Sequence, residues 1–213
     1  MNRDNVILIT EEFVGYNLRS YDSGHDWWHI ERVRKLAKLI NDHETIADPF
    51  VLDIAALLHD SADSKFAEDD KEDKYSVISE FMDKNGINEI KNQVIEVIRN
   101  VSFSNKNPTG NLSDPVLLIL QDADKLDAIG AIGIARAFNY GGFRNNPIYI
   151  PGEKSEGNSK STIGHFYDKL LKLKDMMNTP TGRIIADERH KILEKFLEEF
   201  YLEWEFEINT GNF

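Results

Sequence analysis

The segment LLHDSADSKF at residues 57–66 places a histidine and an aspartate, His59 and Asp60, at the end of the most hydrophobic stretch of the chain. Residues 50–59 are almost uniformly apolar, which predicts a short helix buried on most sides. A carboxylate beside such a helix is costly unless a cation or a hydrogen-bond partner compensates it. Taken alone, the pair is most simply a satisfied core or capping element, so its meaning depends on the residues that accompany it.

Two further groups able to bind a metal lie on predicted apolar helix faces. His29 begins one such face, which continues with Val33, Leu36, Ala37 and Ile40. Asp124 lies on another face, together with Leu117 and Leu120. With His59 and Asp60, three predicted helices therefore direct two imidazoles and two carboxylates toward the interior. This nitrogen and oxygen set suits Mn²⁺, Fe²⁺, Mg²⁺, Co²⁺ or Zn²⁺.

The whole chain fits a single all-α domain. Its 213 residues match the size of one domain or of two tightly joined halves, and 41% hydrophobic residues are enough for a sizeable core. Helical spacing predicts a helical bundle over residues 1–213, with a core at about residues 20–195 and a C-terminal helix packed on it. One helix is predicted from Pro115 through Asp124 to Ala131, another from near Ser159 to Leu173, and a last one from Pro180.

Two segments allow other interpretations. Residues 94–101 are rich in β-branched side chains, so a strand stays open there as an alternative to a helix. Residues 141–157 form the longest of three loops that interrupt the helices, which favours a lid or a binding loop over a simple connector.

Charge and composition exclude several classes of protein. Lys and Arg total 25 against 37 Asp and Glu, a formal charge of −12, so no long nucleic acid is expected as a partner. The absence of cysteine excludes disulfides, zinc–thiolate sites and thiol nucleophiles, which fits a cytosolic protein. The longest aliphatic runs fall far below the ~20 apolar residues of a membrane helix, and the apolar stretch at the start is too short for a signal peptide. We therefore expect a cytoplasmic protein without a membrane partner.

The order His29, His59–Asp60, Asp124 resembles the HD superfamily of metal-dependent phosphohydrolases. The surrounding segments look most like the bacterial YpgQ/YedJ-type HD proteins, and the similarity spans roughly residues 20–195; the segments are HDWWHIERVRKLA, LLHDSADSKF, DADKLDAIGAIGIARAF and GHFYDKLLKLKDMM. The resemblance implies an HD-domain helical bundle with loop insertions.

The resemblance also implies the ligands of the metal. His29, His59, Asp60 and Asp124 are expected to bind one divalent ion, with Mn²⁺ preferred and Mg²⁺, Fe²⁺, Co²⁺, Ni²⁺ or Zn²⁺ as alternatives. Members of the superfamily that bind two metals resemble one another in having extra histidines between the HD pair and the final aspartate. Here no histidine lies between Asp60 and Asp124, which favours a single ion.

The remaining candidates are a general base and residues that contact the substrate phosphates. Asp63 matches the acidic position of the HDxxE motif in alarmone hydrolases, which implies a general base, although it could instead cap the acidic loop. Lys65 is a candidate catalytic residue and phosphate contact because it follows the HD pair closely. Further candidates for substrate phosphates are His165 and Lys169, which have i, i+4 spacing, and Arg136, which follows Asp124 by twelve residues on nearly the same predicted helix face.

Several residues have simpler alternatives. Arg136 could form a salt bridge with Asp124 or Asp127 instead of binding substrate. His25 and Asp26 are expected to cap the helix that carries His29. Trp27 and Trp28 are interpreted as core or pocket wall.

The preferred hypothesis for function is a phosphohydrolase that cleaves a phosphoester or phosphoanhydride bond of a small phosphorylated metabolite, in particular a nucleotide. The resemblance suggests hydrolysis of nucleoside triphosphates to monophosphate and pyrophosphate. The alternative is a non-catalytic signalling module that binds a metal and a nucleotide. A polynucleotide end or a cyclic nucleotide is disfavoured as substrate by the charge and the histidine count. Apolar residues in the terminal helix are compatible with a homodimer.

Overall fold

The computed structural model describes residues 2–17, 26–61, 75–101, 108–153 and 157–205. Within these ranges the chain forms nine α-helices, one 3₁₀ helix at Leu170–Met176 and no strand, which confirms the all-α prediction. The α-helices are α1 (Arg3–Asn17), α2 (Trp27–Glu44), α3 (Pro49–Leu58), α4 (Ser76–Lys84), α5 (Asn88–Asn100), α6 (Pro115–Asp127), α7 (Gly130–Phe143), α8 (Thr162–Asp168) and α9 (Pro180–Trp204). Each helix within these ranges is too short or too polar to cross a lipid bilayer.

The chain divides into two compact units. The first comprises Met1–Lys125 and Asn178–Gly182, and the second comprises Leu126–Met177 and Arg183–Phe213. The single domain over residues 1–213, with its C-terminal helix packed on the core, stays a prediction.

Helix α3 is the centre of the first unit, where it packs against α1, α2 and α5. It begins with proline at its first position, and the Asp48 carboxylate accepts hydrogen bonds from the N–H groups of Phe50 (2.7 Å) and Val51 (3.4 Å). Its buried residues are Val51, Leu52, Ile54, Ala55, Ala56, Leu57 and Leu58. The helix is buried on most sides, as predicted, and it ends at Leu58, directly before His59.

Helix α2 is fixed at its first turn by Asp26. The Asp26 carboxylate accepts a hydrogen bond of 2.8 Å from the N–H of His29, which confirms the predicted cap; His25 lies outside the described residues. The predicted apolar face is also confirmed, because Val33, Leu36, Ala37 and Ile40 are buried.

Arg34 joins the three helices around the first unit's core. Its guanidinium donates to the Asp53 carboxylate on α3 (Nη2–Oδ2, 2.8 Å) and to Glu11 on α1 (Nη1–Oε1, 2.5 Å). The hydrogen bond to Asp53 is the main cause that raises the pKa of Arg34 above its ordinary value. This partly buried network sets α2, which carries His29, against α3, whose last residue precedes His59 and Asp60.

Helix α5 spans Asn88–Asn100, so the strand alternative for residues 94–101 is wrong. Val94, Val97 and Ile98 form its buried face at helical spacing. Packing against α3 and α4 therefore outweighs the β-branched composition.

Helix α6 begins at Pro115 as predicted, with the Asp114 carboxylate accepting from the N–H of Val116 at 2.8 Å. The predicted continuation to Ala131 is wrong, because α6 ends at Asp127 and α7 begins at Gly130. Gly130 has a φ of 75°, a left-handed conformation that interrupts the helix, and the Arg189 side chain would lie only 3.0 Å from a Cβ at this position. The argument that Arg136 lies on the helix face of Asp124 fails with this break.

The second unit contains a further correction. The predicted helix from near Ser159 to Leu173 ends at Asp168 as α8, because Lys169 leaves helical geometry (φ −134°, ψ −59°) before the 3₁₀ helix. His165 and Lys169 therefore do not lie on one continuous α-helix face. The N-terminus of α8 is capped by Ser161, whose hydroxyl accepts from the N–H of Gly164 at 2.9 Å.

The described part of the 141–157 loop is anchored to α8. The carbonyl oxygens of Pro147 and Ile148 accept hydrogen bonds of 2.9 Å from the N–H groups of Thr162 and Ile163. Glu153 adds a carboxylate contact to the Ser161 hydroxyl. These bonds hold the loop along the start of α8.

Helix α9 begins at Pro180 as predicted, and the Thr179 hydroxyl accepts from the N–H of Gly182 at 2.9 Å. Its buried residues in the second unit are Ala186, His190, Leu193 and Leu197. Ile192 is 45% exposed, whereas the next residue, Leu193, lies on the buried face. The rings of Phe200 and Trp204 instead pack with Tyr149 at 5.8 and 5.1 Å between centroids.

Asp122 on α6 is fully buried in the first unit and acts as a polar clamp. One carboxylate oxygen accepts from the N–H (2.8 Å) and the side-chain amide (3.0 Å) of Asn178, and the other accepts from the N–H and the hydroxyl of Thr179, both at 2.8 Å. Four donors thus compensate one buried charge and fix α6 to the start of α9.

We expect Asp122→Ala to lower the free energy of unfolding by about 3 kcal/mol, because it leaves several buried donors without an acceptor. Chemical denaturation measures this loss. The matched control is Asp42→Ala, which removes an exposed carboxylate of α2 and should change the free energy by less than about 0.5 kcal/mol. Equal effects of the two substitutions would contradict the clamp.

Candidate metal centre

The first unit brings three of the four predicted ligands into one cluster. Donor atoms of His29, His59 and Asp124 all lie within 4.8 Å of one another. The two imidazoles are buried and meet in an edge arrangement, with 3.4 Å between their Nε2 atoms. The fold therefore brings His29 and Asp124, which are 95 positions apart in the chain, close together.

Asp60 contacts both imidazoles through separate oxygens. Its Oδ2 lies 3.2 Å from Nε2 of His29, and its Oδ1 lies 3.6 Å from Nε2 of His59. Asp124 approaches His29 with 3.5 Å between Oδ1 and Nε2. The Asp124 side chain is 31% exposed whereas the other three are nearly buried, so the cluster opens to solvent at Asp124.

A hydrogen bond orients the His59 ring. Its Nδ1 lies 2.8 Å from the carbonyl oxygen of Ala56, one turn earlier at the end of α3. Because a carbonyl oxygen only accepts, Nδ1 carries the proton and Nε2 presents its lone pair toward His29 and Asp60. This arrangement is typical of histidines that bind metals, whose second nitrogen donates to a neighbouring oxygen.

The spacing of the donors fits one shared cation. Atoms bound to one ion at ~2.0–2.2 Å lie roughly 2.8–4.4 Å from each other, depending on the angle between the bonds. Four contacts, those of His29 with His59, Asp60 and Asp124 and that of His59 with Asp60, measure 3.2–3.6 Å and fall in this range. The donor set, two imidazoles and two carboxylates, has the borderline-to-hard character that divalent cations prefer.

A lysine lies beside this cluster. Lys125 follows Asp124 on α6 and is only 8% exposed. Burial lowers the pKa of the Lys125 ammonium, while the nearby charges of Asp122 and Asp124 act in the opposite direction. Its charge therefore interacts with a candidate ligand and with the clamp.

The chain is similar to known proteins over most of its length. The family model of the HD domain matches residues 27–129, the stretch that holds all four candidate ligands. The protein YpgQ of Bacillus subtilis (strain 168) is 39% identical over 186 residues, which cover 85% of each chain.

The chain belongs to the HD domain family. Among solved structures it resembles an HD-superfamily hydrolase from Bacillus thuringiensis, at 36% identity and a TM-score of 0.77 over 96% of this chain and 99% of that one. It also resembles Bacillus subtilis YpgQ crystallised in complex with ADP, at 34% identity and a TM-score of 0.75 over 92% and 97% of the two chains. HD domains bind divalent metals, so the family and the geometry agree on a metal centre here.

The other predicted site residues lie outside this cluster. Asp63 and Lys65 lie outside the described residues, so their predicted roles stay predictions. Arg136, His165 and Lys169 belong to the second unit, and their predicted contacts with substrate also stay predictions. Trp28 is 64% exposed, so this side chain is not part of the core.

Arg136 forms the salt bridge with Asp127 that the sequence analysis gave as an alternative to substrate binding. Its Nη1 donates to the Asp127 carboxylate at 2.9 Å, and Asp127 is almost completely buried. Arg189 donates to the carbonyl oxygen of Leu126 at the same helix end. Burial lowers the pKa of Arg189, and the charge of Asp127 opposes this shift. The two arginines thus compensate the last carbonyls of α6 and the Asp127 charge.

Sequence reasoning missed Asp122 and Arg189 as residues that hold α6 in place. Asp122 is the first of three acidic residues in DADKLD and lies one helical turn before the apolar Leu126. This spacing puts Asp122 on the apolar face of the helix, which could have marked it as buried. Arg189 lies in a charged stretch of α9 and has no local signal, because its partner is 63 residues away.

His165 provides a test of the electrostatics in the second unit. Burial lowers the pKa of His165, the positive charge of Lys169 lowers it further, and Asp168 acts in the opposite direction. We expect the His165 imidazole to titrate below ~6.5 in the folded protein, which NMR of the ring protons measures.

The same shift predicts the sign of a change in stability with pH. Because the unfolded ring binds a proton more readily, the contribution of His165 to stability is complete above ~6.5 and is lost as the pH falls through the lower pKa of the folded state. Replacement by glutamine should therefore reduce the loss of stability between neutral and acidic pH. A midpoint at or above ~6.5 would contradict the expectation.

Proposed function

We propose that this HD domain is a metal-dependent phosphohydrolase that cleaves a phosphoester or phosphoanhydride bond of a small phosphorylated metabolite, in particular a nucleotide. The observation that carries the proposal is the convergence of His29, His59 and Asp124 within 4.8 Å, with Asp60 in contact with both imidazoles. The finer proposal for the reaction is hydrolysis of a nucleoside triphosphate to monophosphate and pyrophosphate.

In this proposal His29, His59, Asp60 and Asp124 hold one divalent ion, with Mn²⁺ as the preferred metal. A bound divalent cation lowers the pKa of a coordinated water molecule and polarises a phosphoryl oxygen at neutral pH. A single ion is supported by the convergence of His29, His59 and Asp124 within 4.8 Å and by the lack of histidines between Asp60 and Asp124.

The chain's own structure orients these ligands before any ion binds. The bond from His59 to the Ala56 carbonyl sets the ring and its tautomer. The Asp26 cap fixes the first turn of α2, which carries His29, and the Asp122 clamp fixes α6, which carries Asp124. Such preorganisation lowers the reorganisation needed for binding and for the reaction.

The other candidate residues have assigned roles in the proposal. Asp63 acts as the general base that removes a proton from the attacking water. Lys65 supports catalysis and contacts the phosphates, and Arg136, His165 and Lys169 contribute further substrate contacts. In a chain with a net charge of −12, such cations would create a local positive field that attracts an anionic substrate.

A nucleotide is the preferred substrate because a related protein has been crystallised with one. The YpgQ structure in complex with ADP is 34% identical and covers 92% of this chain. The opening of the cluster at Asp124 supports access by a phosphate group from solvent. A metabolite with the same phosphate chemistry remains the broader class.

The first test is Asp60→Ala. Removal of this carboxylate takes away one ligand and the contact with both imidazoles, so Mn²⁺-dependent release of phosphate or pyrophosphate should fall below about 1% of the wild-type rate. Release is measured for nucleoside mono-, di- and triphosphates, and circular dichroism checks that the variant stays folded. The control Asp42→Asn removes an exposed carboxylate charge on α2 and should keep the wild-type rate.

The outcomes separate the enzyme from the signalling module. Activity that survives in Asp60→Ala would overturn the proposed hydrolase site. A wild-type protein that is stabilised by ADP with Mn²⁺ but yields no product over long incubation would favour the non-catalytic module.

The second test concerns the general base. Asp63→Asn should lower kcat by about 100-fold, because amide groups do not accept the proton, while the affinity for Mn²⁺ stays at the wild-type value. Steady-state kinetics and calorimetric titration with Mn²⁺ measure the two quantities. The control Asp70→Asn removes a charge from the same acidic stretch and should leave kcat unchanged. Equal kcat values for the two variants would exclude Asp63 as the base.

A further inference from the structure

Ser61 follows the His59–Asp60 pair and is buried, with only 3% of its surface exposed. Its N–H donates to the carbonyl oxygen of Leu58 at 3.0 Å, which closes the turn at the end of α3. In the part of the chain that the structure describes, its hydroxyl oxygen is one of two buried side-chain polar atoms without a hydrogen-bond partner.

An unsatisfied buried hydroxyl is unfavourable, because it loses its hydrogen bonds to water and gains none in return. Native proteins contain few such groups, and each calls for an explanation such as a ligand, an ion or a water molecule. The buried hydroxyl of Thr10 shows the ordinary case, since it donates to the Val6 carbonyl oxygen at 2.7 Å. Ser61 departs from that pattern at a site where alanine would fill nearly the same volume.

The position of Ser61 indicates what its partner is. It is the next residue after Asp60, whose oxygens lie 3.2 and 3.6 Å from the imidazoles of His29 and His59. Consecutive Cα atoms are ~3.8 Å apart, so the backbone of Ser61 lies next to a candidate ligand, in the turn that closes α3. The other unpartnered atom, Nδ1 of His190, has no such surroundings, because the same ring faces the exposed Glu194 at 3.4 Å from Nε2.

We propose that the Ser61 hydroxyl is a ligand-binding group of this centre, which hydrogen-bonds an oxygen atom that enters with the cation. That oxygen belongs to a water molecule or to a phosphate group of the substrate, and a hydroxyl can donate to either one. The proposal rests on the function proposed above and adds to its site a residue between the metal ligands and the candidate base Asp63.

The test compares Ser61→Ala with Thr10→Val, in which a satisfied buried hydroxyl is removed from the same unit. Without metal, Ser61→Ala should raise the melting temperature by about 2–4 °C because it removes an unsatisfied polar group, whereas Thr10→Val should lower it. Differential scanning fluorimetry in the presence of a chelator measures both shifts.

Binding measurements then distinguish the two sources of the oxygen. If the partner is water, Ser61→Ala should weaken the affinity for Mn²⁺ alone by about 10-fold. If the partner is a phosphate oxygen, Mn²⁺ affinity should stay within about 2-fold and ADP affinity in the presence of Mn²⁺ should fall about 5-fold. Calorimetric titrations with Mn²⁺ and with ADP provide these values, and Thr10→Val should match the wild type in both.

Either weakened affinity supports the assignment. Unchanged affinities for both Mn²⁺ and ADP would overturn it, as would a metal-free Ser61→Ala variant destabilised like Thr10→Val, because the hydroxyl would then have its partner within the fold. A wild-type protein that binds no divalent cation would overturn the proposed metal centre itself and this role of Ser61 with it. If the wild type binds the cation and Ser61→Ala binds Mn²⁺ and ADP as tightly, only the proposed role of Ser61 is overturned and the metal centre stands.

Discussion

The cluster of two imidazoles and two carboxylates is the interaction on which the first unit depends. Four groups that water normally solvates are brought within 3.2–3.6 Å contacts, and three of them are nearly buried. Such an arrangement is costly without compensation, and a divalent cation compensates it more completely than any single side chain can. The fold accepts this cost at the end of α3, the most hydrophobic helix, where the apolar core stabilises the surrounding backbone.

The helices that carry the ligands are each held by polar contacts outside the cluster. Arg34 joins α2 to α3, and Asp122 fixes α6 through Asn178 and Thr179. In the second unit, Arg136 and Arg189 compensate the last turn of α6. These contacts are partly or fully buried, where a charged hydrogen bond contributes more to rigidity than on the surface. They therefore hold the ligands in a geometry that the ligands alone would not favour.

Much of the fold and of the metal centre could be predicted from local sequence signals. Pro115 and Pro180 mark true helix starts, Asp26 caps α2, and the apolar run before His59 is a buried helix. The errors concern helix ends at which the backbone conformation changes although the sequence pattern continues. The break between α6 and α7 depends on Gly130 in a left-handed conformation against Arg189, and α8 ends at Asp168 although its sequence continues a helical pattern.

The sequence by itself determined the types of donor, their order along the chain and membership of the HD domain family, because motif residues and helical periodicity are local properties. Only the tertiary structure decided that His29, His59 and Asp124 meet within 4.8 Å, that Asp122 is a clamp, and that the Ser61 hydroxyl is buried without a partner. The physical reason is that side-chain distance and burial depend on how α2, α3 and α6 are fixed by contacts such as those between Asp122 and Thr179, which are 57 residues apart.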